Sequence, residues 1–135
     1  MKPKKSQKMH PNGRSKGESK HTKNFAWQIN SDAWKALSCT AKCLEMELKM
    51  LYNGINNGDL FLSVREAAKR LDVASNTASK AFKELEEKGF IKVKQKGHFG
   101  YKIRHATSWI LTEFEYNGQT ATKDFMRWKP DKADI

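Results

Sequence analysis

Residues 63–90, "SVREAAKRLDVASNTASKAFKELEEKGF", constrain the fold more than any other stretch of this chain. Ser63 and Glu66 form a capping box, after which Val64, Ala67, Ala68 and Leu71 recur at helical spacing. A tight turn, "DVA", follows. Ala78, Ala81, Phe82 and Leu85 then recur the same way on a helix expected from about Ser75 to Lys88, with Gly89 as its left-handed stop. Two short amphipathic helices joined this closely can cross at a steep angle. Ala67 and Ala68 allow the close approach, and Val73 plugs the corner.

Beyond Gly89 the period falls from 3.6 to 2. "FIKVKQ" alternates Ile91 and Val93 with Lys92 and Lys94, and "YKIR" alternates Tyr101 and Ile103 with Lys102 and Arg104. With "KGHFG" between them as a loop, the two runs predict a β-hairpin. "LFL" before the capping box and "SWILTEFEY" after the hairpin read as further short strands, "NG" as a turn, and "QTATKDFMRW" as a short helix or packed tail.

Upstream, Ser31 and Ser38 are candidate N-caps for a helical region ending at Tyr52. Trp34, Leu37, Ala41, Leu44, Leu48 and Leu51 form its core stripe. Cys39, Cys43, Met46 and Met50 form a second stripe on nearly the opposite face. Either the extended lead-in "NFAWQI" or the C-terminal tail covers that stripe, or it is the seam of a homodimer. The cysteines, four apart on a helix, are poorly placed for a disulfide and are expected to be buried thiols in a reducing cytoplasm. No histidine stands at zinc-ligand spacing from them, so no metal is expected.

Charge divides the chain. Residues 1–24 carry Lys2, Lys4, Lys5, Lys8, Arg14, Lys16, Lys20 and Lys23 against Glu18 alone, a net of +7. This arm has almost no apolar side chain and is expected to be disordered when free. It is not expected to be a secretory signal, since no apolar run follows its basic residues. Residues 25–128 are expected to form the folded domain, with 129–135 as a tail. No Walker loop, zincin spacing or magnesium-binding carboxylate cluster points to an enzyme. Asp124, Asp131 and Asp134 read as solubilising charge.

The second helix of the pair carries an unusual charge order, with Lys80 and Lys83 early and Glu84, Glu86 and Glu87 late. The helix dipole favours the reverse by about 0.3–1 kcal/mol per charge. Cations where a polyanion approaches, and acids where it does not, would account for the inversion. The bases Lys88, Lys92, Lys94, Lys96, Lys102 and Arg104 follow without an intervening acid.

"LSVREAAKRLDVASNTASKAFKELEEKGFI", residues 62–91, resembles the DNA-binding half of GntR-type and related bacterial winged helix-turn-helix regulators. A looser likeness over residues 31–128 is to helix-turn-helix proteins of bacterial prophages and integrated elements. The resemblance implies an α+β winged helix-turn-helix, with three or four helices, a β-hairpin wing and an extra strand. It implies a cytoplasmic, nucleoid-associated, homodimeric protein that binds double-stranded DNA and regulates transcription, without cofactor, membrane or small-molecule effector. Two departures stand out. The family's turn serine is Ala74 here, so that Ser75 is expected to cap the helix, and the basic residue usual at the next position is Ser75.

Base reading is then expected from Ser75, Asn76, Thr77, Ser79 and Lys80, with Asn76 suited to paired contact with adenine. Phosphate contacts are expected from Lys69, Arg70, Lys83, Lys92, Lys94, Lys96, Lys102 and Arg104, and His98 and Phe99 are expected at the wing tip. Two other roles stay open: an accessory factor in replication or recombination, and a winged helix that binds protein.

Overall fold

The structure, a computed structural model, describes residues 19–95, 98–99, 104–105 and 107–131, with residues 98, 99, 104 and 105 described by backbone pairing alone. Five α-helices lie among the described residues: α1 Ala26–Ile29, α2 Asp32–Ala36, α3 Cys39–Leu51, α4 Val64–Leu71 and α5 Ser75–Glu87. The strands are β1 Leu60–Phe61, β2 Ile91–Gln95, β3 His98–Phe99, β4 Arg104–His105 and β5 Ser108–Leu111, and a 3₁₀ turn closes the chain at Asp124–Arg127. The class is α+β. Three strands form an antiparallel sheet in the order β1-β5-β2, while β3 and β4 pair with each other.

The starts of α2, α3 and α4 follow serine chemistry. Ser31 accepts from the Trp34 N–H, Ser38 from Ala41 and Ser63 from Glu66, each satisfying an N–H that has no partner within its own helix. Ala41, Leu44 and Leu48 of α3 meet Ala67 of α4 and Ala78, Ala81, Phe82 and Leu85 of α5 in one core. Trp109 joins the sheet to this core. Its indole N–H donates to the Leu62 carbonyl at 3.1 Å, and its ring stacks on Phe82 at 4.9 Å between centroids.

Two backbone stops set the helix directions. Asp72 takes φ 55, and the Val73 N–H reaches the Ala68 carbonyl at 3.0 Å, so α4 ends abruptly and Val73 packs against the core. Gly89 takes φ 85, the Phe90 N–H bonds the Leu85 carbonyl at 2.9 Å, and the Gly89 N–H bonds that of Glu86 at 3.1 Å. That pair of bonds is a Schellman motif, and it turns the chain from α5 straight into β2.

Several expectations need correction. "NFAWQI" is not extended but makes the single turn α1. The reason is Gln28, which a strand would turn away from its apolar neighbours but which is fully buried here against polar groups of α3. Phe25 and Trp27 instead begin a run of stacked rings, Trp27 on Phe125 and Phe125 on Phe90. "FIKVKQ" pairs with "SWIL": Ile91 faces Leu111 and Val93 faces Trp109, whereas residues 101–103 of "YKIR" lie outside the described residues and Arg104 pairs with Phe99. The central strand β5 has Trp109 and Leu111 buried and offers β2 the apolar partner it needs. A register shift between Val93 and Gln95 interrupts the ladder with β5. His98 and Phe99 lie in β3, opposite His105 and Arg104, and so stand in a strand, not at a loop tip. Val64 is exposed. Cys39 and Cys43 are exposed thiols, not buried ones. Ala74, not Ser75, is the N-cap of α5, and no side chain caps that helix.

Candidate nucleic-acid interface

The outward face of α5 is set by its buried one. With Ala78, Ala81, Phe82 and Leu85 inward, a step of roughly 100° per residue turns Asn76, Lys80 and Lys83 outward as one stripe. Ser75, Thr77 and half-buried Ser79 flank it, and all but Ser79 are exposed. The expected base-reading residues therefore share one surface. Because no side chain caps α5 and its first turn holds no acid, donors and cations dominate that end.

The surrounding cations divide into two groups. Among the described residues Lys69, Lys80 and Lys83 are exposed without an acidic partner, and so is Arg65 of α4, which the sequence pattern did not single out. Others expected to stand free are engaged. Lys92 pairs with Asp124 at 2.9 Å, Lys94 with Asp59 at 2.9 Å, and Arg70 lies 3.4 Å from Glu66 and 3.7 Å from Glu47. Asp124 is thus structural rather than merely solubilising. Burial pushes its carboxyl up, but hydrogen bonds from Lys92 and Thr122 and the charges of Lys92 and Arg127 outweigh that and hold it below the usual carboxylate range. Lys96 and Lys102 lie outside the described residues, and of Arg104 only the backbone is described.

The late acids of α5 have a second reason to be there. The Glu84 carboxylate accepts from the Ser38 N–H at 3.0 Å and from the Ser38 hydroxyl at 2.6 Å. It thereby places negative charge at the N-terminus of α3, where the dipole favours it. Lys88 lies over the Trp128 ring at 5.2 Å. Part of the inverted charge order on α5 is therefore a packing requirement of the neighbouring helix.

Comparison with known proteins adds no relative: no family model, no curated protein and no solved structure matches the chain. Among the described residues no helix is long and apolar enough to cross a membrane, and no three histidine, cysteine or acidic side chains are grouped to hold a metal.

Away from α5, the structure brings together a polar cluster that sequence reasoning missed. The Lys49 ammonium lies 2.9 Å from Glu113 and 3.3 Å from Glu45, with all three side chains almost completely buried. It donates to the Gln28 side-chain carbonyl at 2.9 Å, the Asn24 side chain at 2.7 Å and the Lys23 carbonyl at 3.1 Å. Gln28 in turn donates to Glu45 at 3.1 Å. Two carboxylates share one ammonium, and the second Glu45 oxygen has no hydrogen-bond partner. Burial pushes the Glu45 carboxyl up to about 7 and raises that of Glu113. The cluster fastens residues 23 and 24, α1, α3 and the segment after β5 to one point. The signal available in the sequence was the Glu45–Lys49 spacing beside Leu44 and Leu48, which on a solvated helix face would mean little.

Proposed function

We propose that this chain is a winged helix-turn-helix protein that binds double-stranded DNA sequence-specifically, with α5 in the major groove, and that it regulates transcription of a bacterial mobile element. The observation that carries the reading is the outward stripe of α5. Asn76, Lys80 and Lys83 are exposed together, and neither lysine is neutralised by an acid among the described residues. A major groove admits one α-helix, and Asn76 can donate to and accept from the exposed edge of adenine. Lys80 near the base edges and Lys83 and Lys69 toward the phosphates fit the division between reading and positioning contacts. In this reading the β2–β5 pairing and the separate β3–β4 pair form the wing. Lys92 and Lys94 serve this reading less well than free cations, since Asp124 and Asp59 hold them.

A gel shift with titrated salt tests it. Specific binding is expected to weaken steeply with salt, with a logarithmic slope of about −0.9 per phosphate contacted. Lys83→Ala is expected to reduce that slope by about one. Asn76→Ala is expected to cost about 1–3 kcal/mol of discrimination at one base pair while leaving non-specific binding intact. Duplex affinity indifferent to Asn76, Lys80 and Lys83 together would remove α5 from the interface. Mapping of bound sites in cells separates promoter regulation from service at an origin or attachment site.

A further inference from the structure

We infer that the exposed stripe of α3 is the seam of a homodimer in which two copies of that helix run parallel, locked in register by Lys42 of each copy against Glu47 of the other. Cys39, Cys43, Met46 and Met50 are all exposed, with Met46 and Met50 each more than two-fifths so. Their spacings of four, three and four residues are those of alternating d and a positions in a heptad repeat. No described segment covers them. α1 docks on another flank of α3 through Gln28, and the 3₁₀ turn packs against Gly89 and Phe90. The stripe continues into a groove of about 380 Å³ bounded by Cys39, Cys43, Glu47, Arg70 and Val73.

Charge identifies the occupant. In this heptad frame Lys42 falls at g and Glu47 at the following e, one on each side of the stripe and both half-buried. In a parallel pair each g residue meets the e residue five positions on in the other helix. The sequence places opposite charges at that separation, and two-fold symmetry repeats the pair. An antiparallel pair sets g against g and e against e, so that with a layers facing d layers Lys42 lies nearest Lys49 and Glu47 nearest Thr40, and the Lys42–Glu47 attraction is lost. The second copy is therefore favoured over an unrelated partner, and parallel over antiparallel. Two heptads make a small seam, so association on the order of micromolar strength is expected. The methionines suit such a seam because they repack easily.

Sedimentation equilibrium of the full chain without DNA, from low to high micromolar, tests this independently of the DNA-binding reading. A monomer–dimer equilibrium is expected. Lys42→Glu and Glu47→Lys should each weaken it by about fivefold, since each turns two attractions into repulsions. The double exchange should associate more tightly than either single variant, though short of the parent value, because a lysine at position 47 also faces Arg70 of its own chain. Met46→Glu should leave a monomer with a parent-like circular dichroism spectrum. A monomer throughout, a dimer untouched by Met46→Glu, or a double exchange no tighter than the singles would overturn the proposal.

Discussion

Lys49 shows how far one side chain can be committed. Its ammonium is the cation in direct contact with both the Glu45 and Glu113 carboxylates, and it also holds Gln28, Asn24 and Lys23. Replacing it with methionine keeps the stem but leaves the buried Glu45 carboxylate without a counter-charge and Glu113 with only the more distant Lys123. Lys49→Met is therefore expected to destabilise the fold by about 3–5 kcal/mol at neutral pH, read by urea unfolding, and by less at pH 5, where the Glu45 carboxyl, raised to about 7, is protonated. Gly89 is constrained differently. It combines φ 85 with a position where an added Cβ would lie 2.9 Å from Asp124 and from the backbone nitrogen of Phe125. Gly89→Ala is expected to cost about 1–3 kcal/mol from the backbone conformation alone, and more if the 3₁₀ turn cannot shift. An equal melting temperature for parent and variant would contradict both the backbone cost and the clash with the 3₁₀ turn.

At the scale of elements, α4, α5 and the strand after Gly89 were readable because local rules decide them: a capping box, three-four spacing, a glycine stop and a change of period. The core side of α3 was readable for the same reason. What was not readable depended on partners far away in sequence. Ile91 and Val93 could have paired with any alternating strand, and only β5, with Trp109 and Leu111 inward, fixed the choice. Asn57 looked like simple turn chemistry, yet its side chain accepts from the Leu111 N–H at 2.8 Å and donates to the Leu111 carbonyl at 2.9 Å, pinning the end of β5. Of the candidate site, the α5 stripe could be read because an exposed face is the complement of a buried one. The engagement of Lys92 by Asp124, 32 positions further along the chain, could not. Asp124→Asn should release Lys92 and, if α5 and the wing face the same duplex, tighten non-specific DNA binding at low salt by about twofold. Fluorescence anisotropy against a random duplex measures this, and unchanged or weaker binding would place Lys92 away from the DNA.

For the molecule as a whole, these pairings set two opposed dependences on pH. Asp32 and Asp124 have carboxyls held below their ordinary value, by Lys129 for Asp32 and by Lys92, Thr122 and Arg127 against burial for Asp124. The stability they contribute is present above the unfolded value of 3.8 and is lost as pH falls through their lower folded values. Glu45 and Glu113 act in the other direction. Burial raises both above the unfolded value of 4.5, Glu45 to about 7. Below 4.5 both states hold these protons; between 4.5 and about 7 the folded state alone keeps that of Glu45, so stability falls as pH rises through that window. At 1.36 kcal/mol per unit, Glu45 accounts for a loss on the order of 3 kcal/mol by neutral pH. Maximal stability is therefore expected near pH 4–5, below the range usual for proteins. Urea midpoints measured from pH 4 to 8 should decline across the window in the parent chain. In Glu45→Gln the decline should be much reduced, because the amide keeps the hydrogen bond from Gln28 and leaves Lys49 to Glu113 alone. A parent chain with no decline, or a variant that declines as steeply, would mean that water or a rearranged Lys49 solvates the Glu45 carboxylate in the folded state.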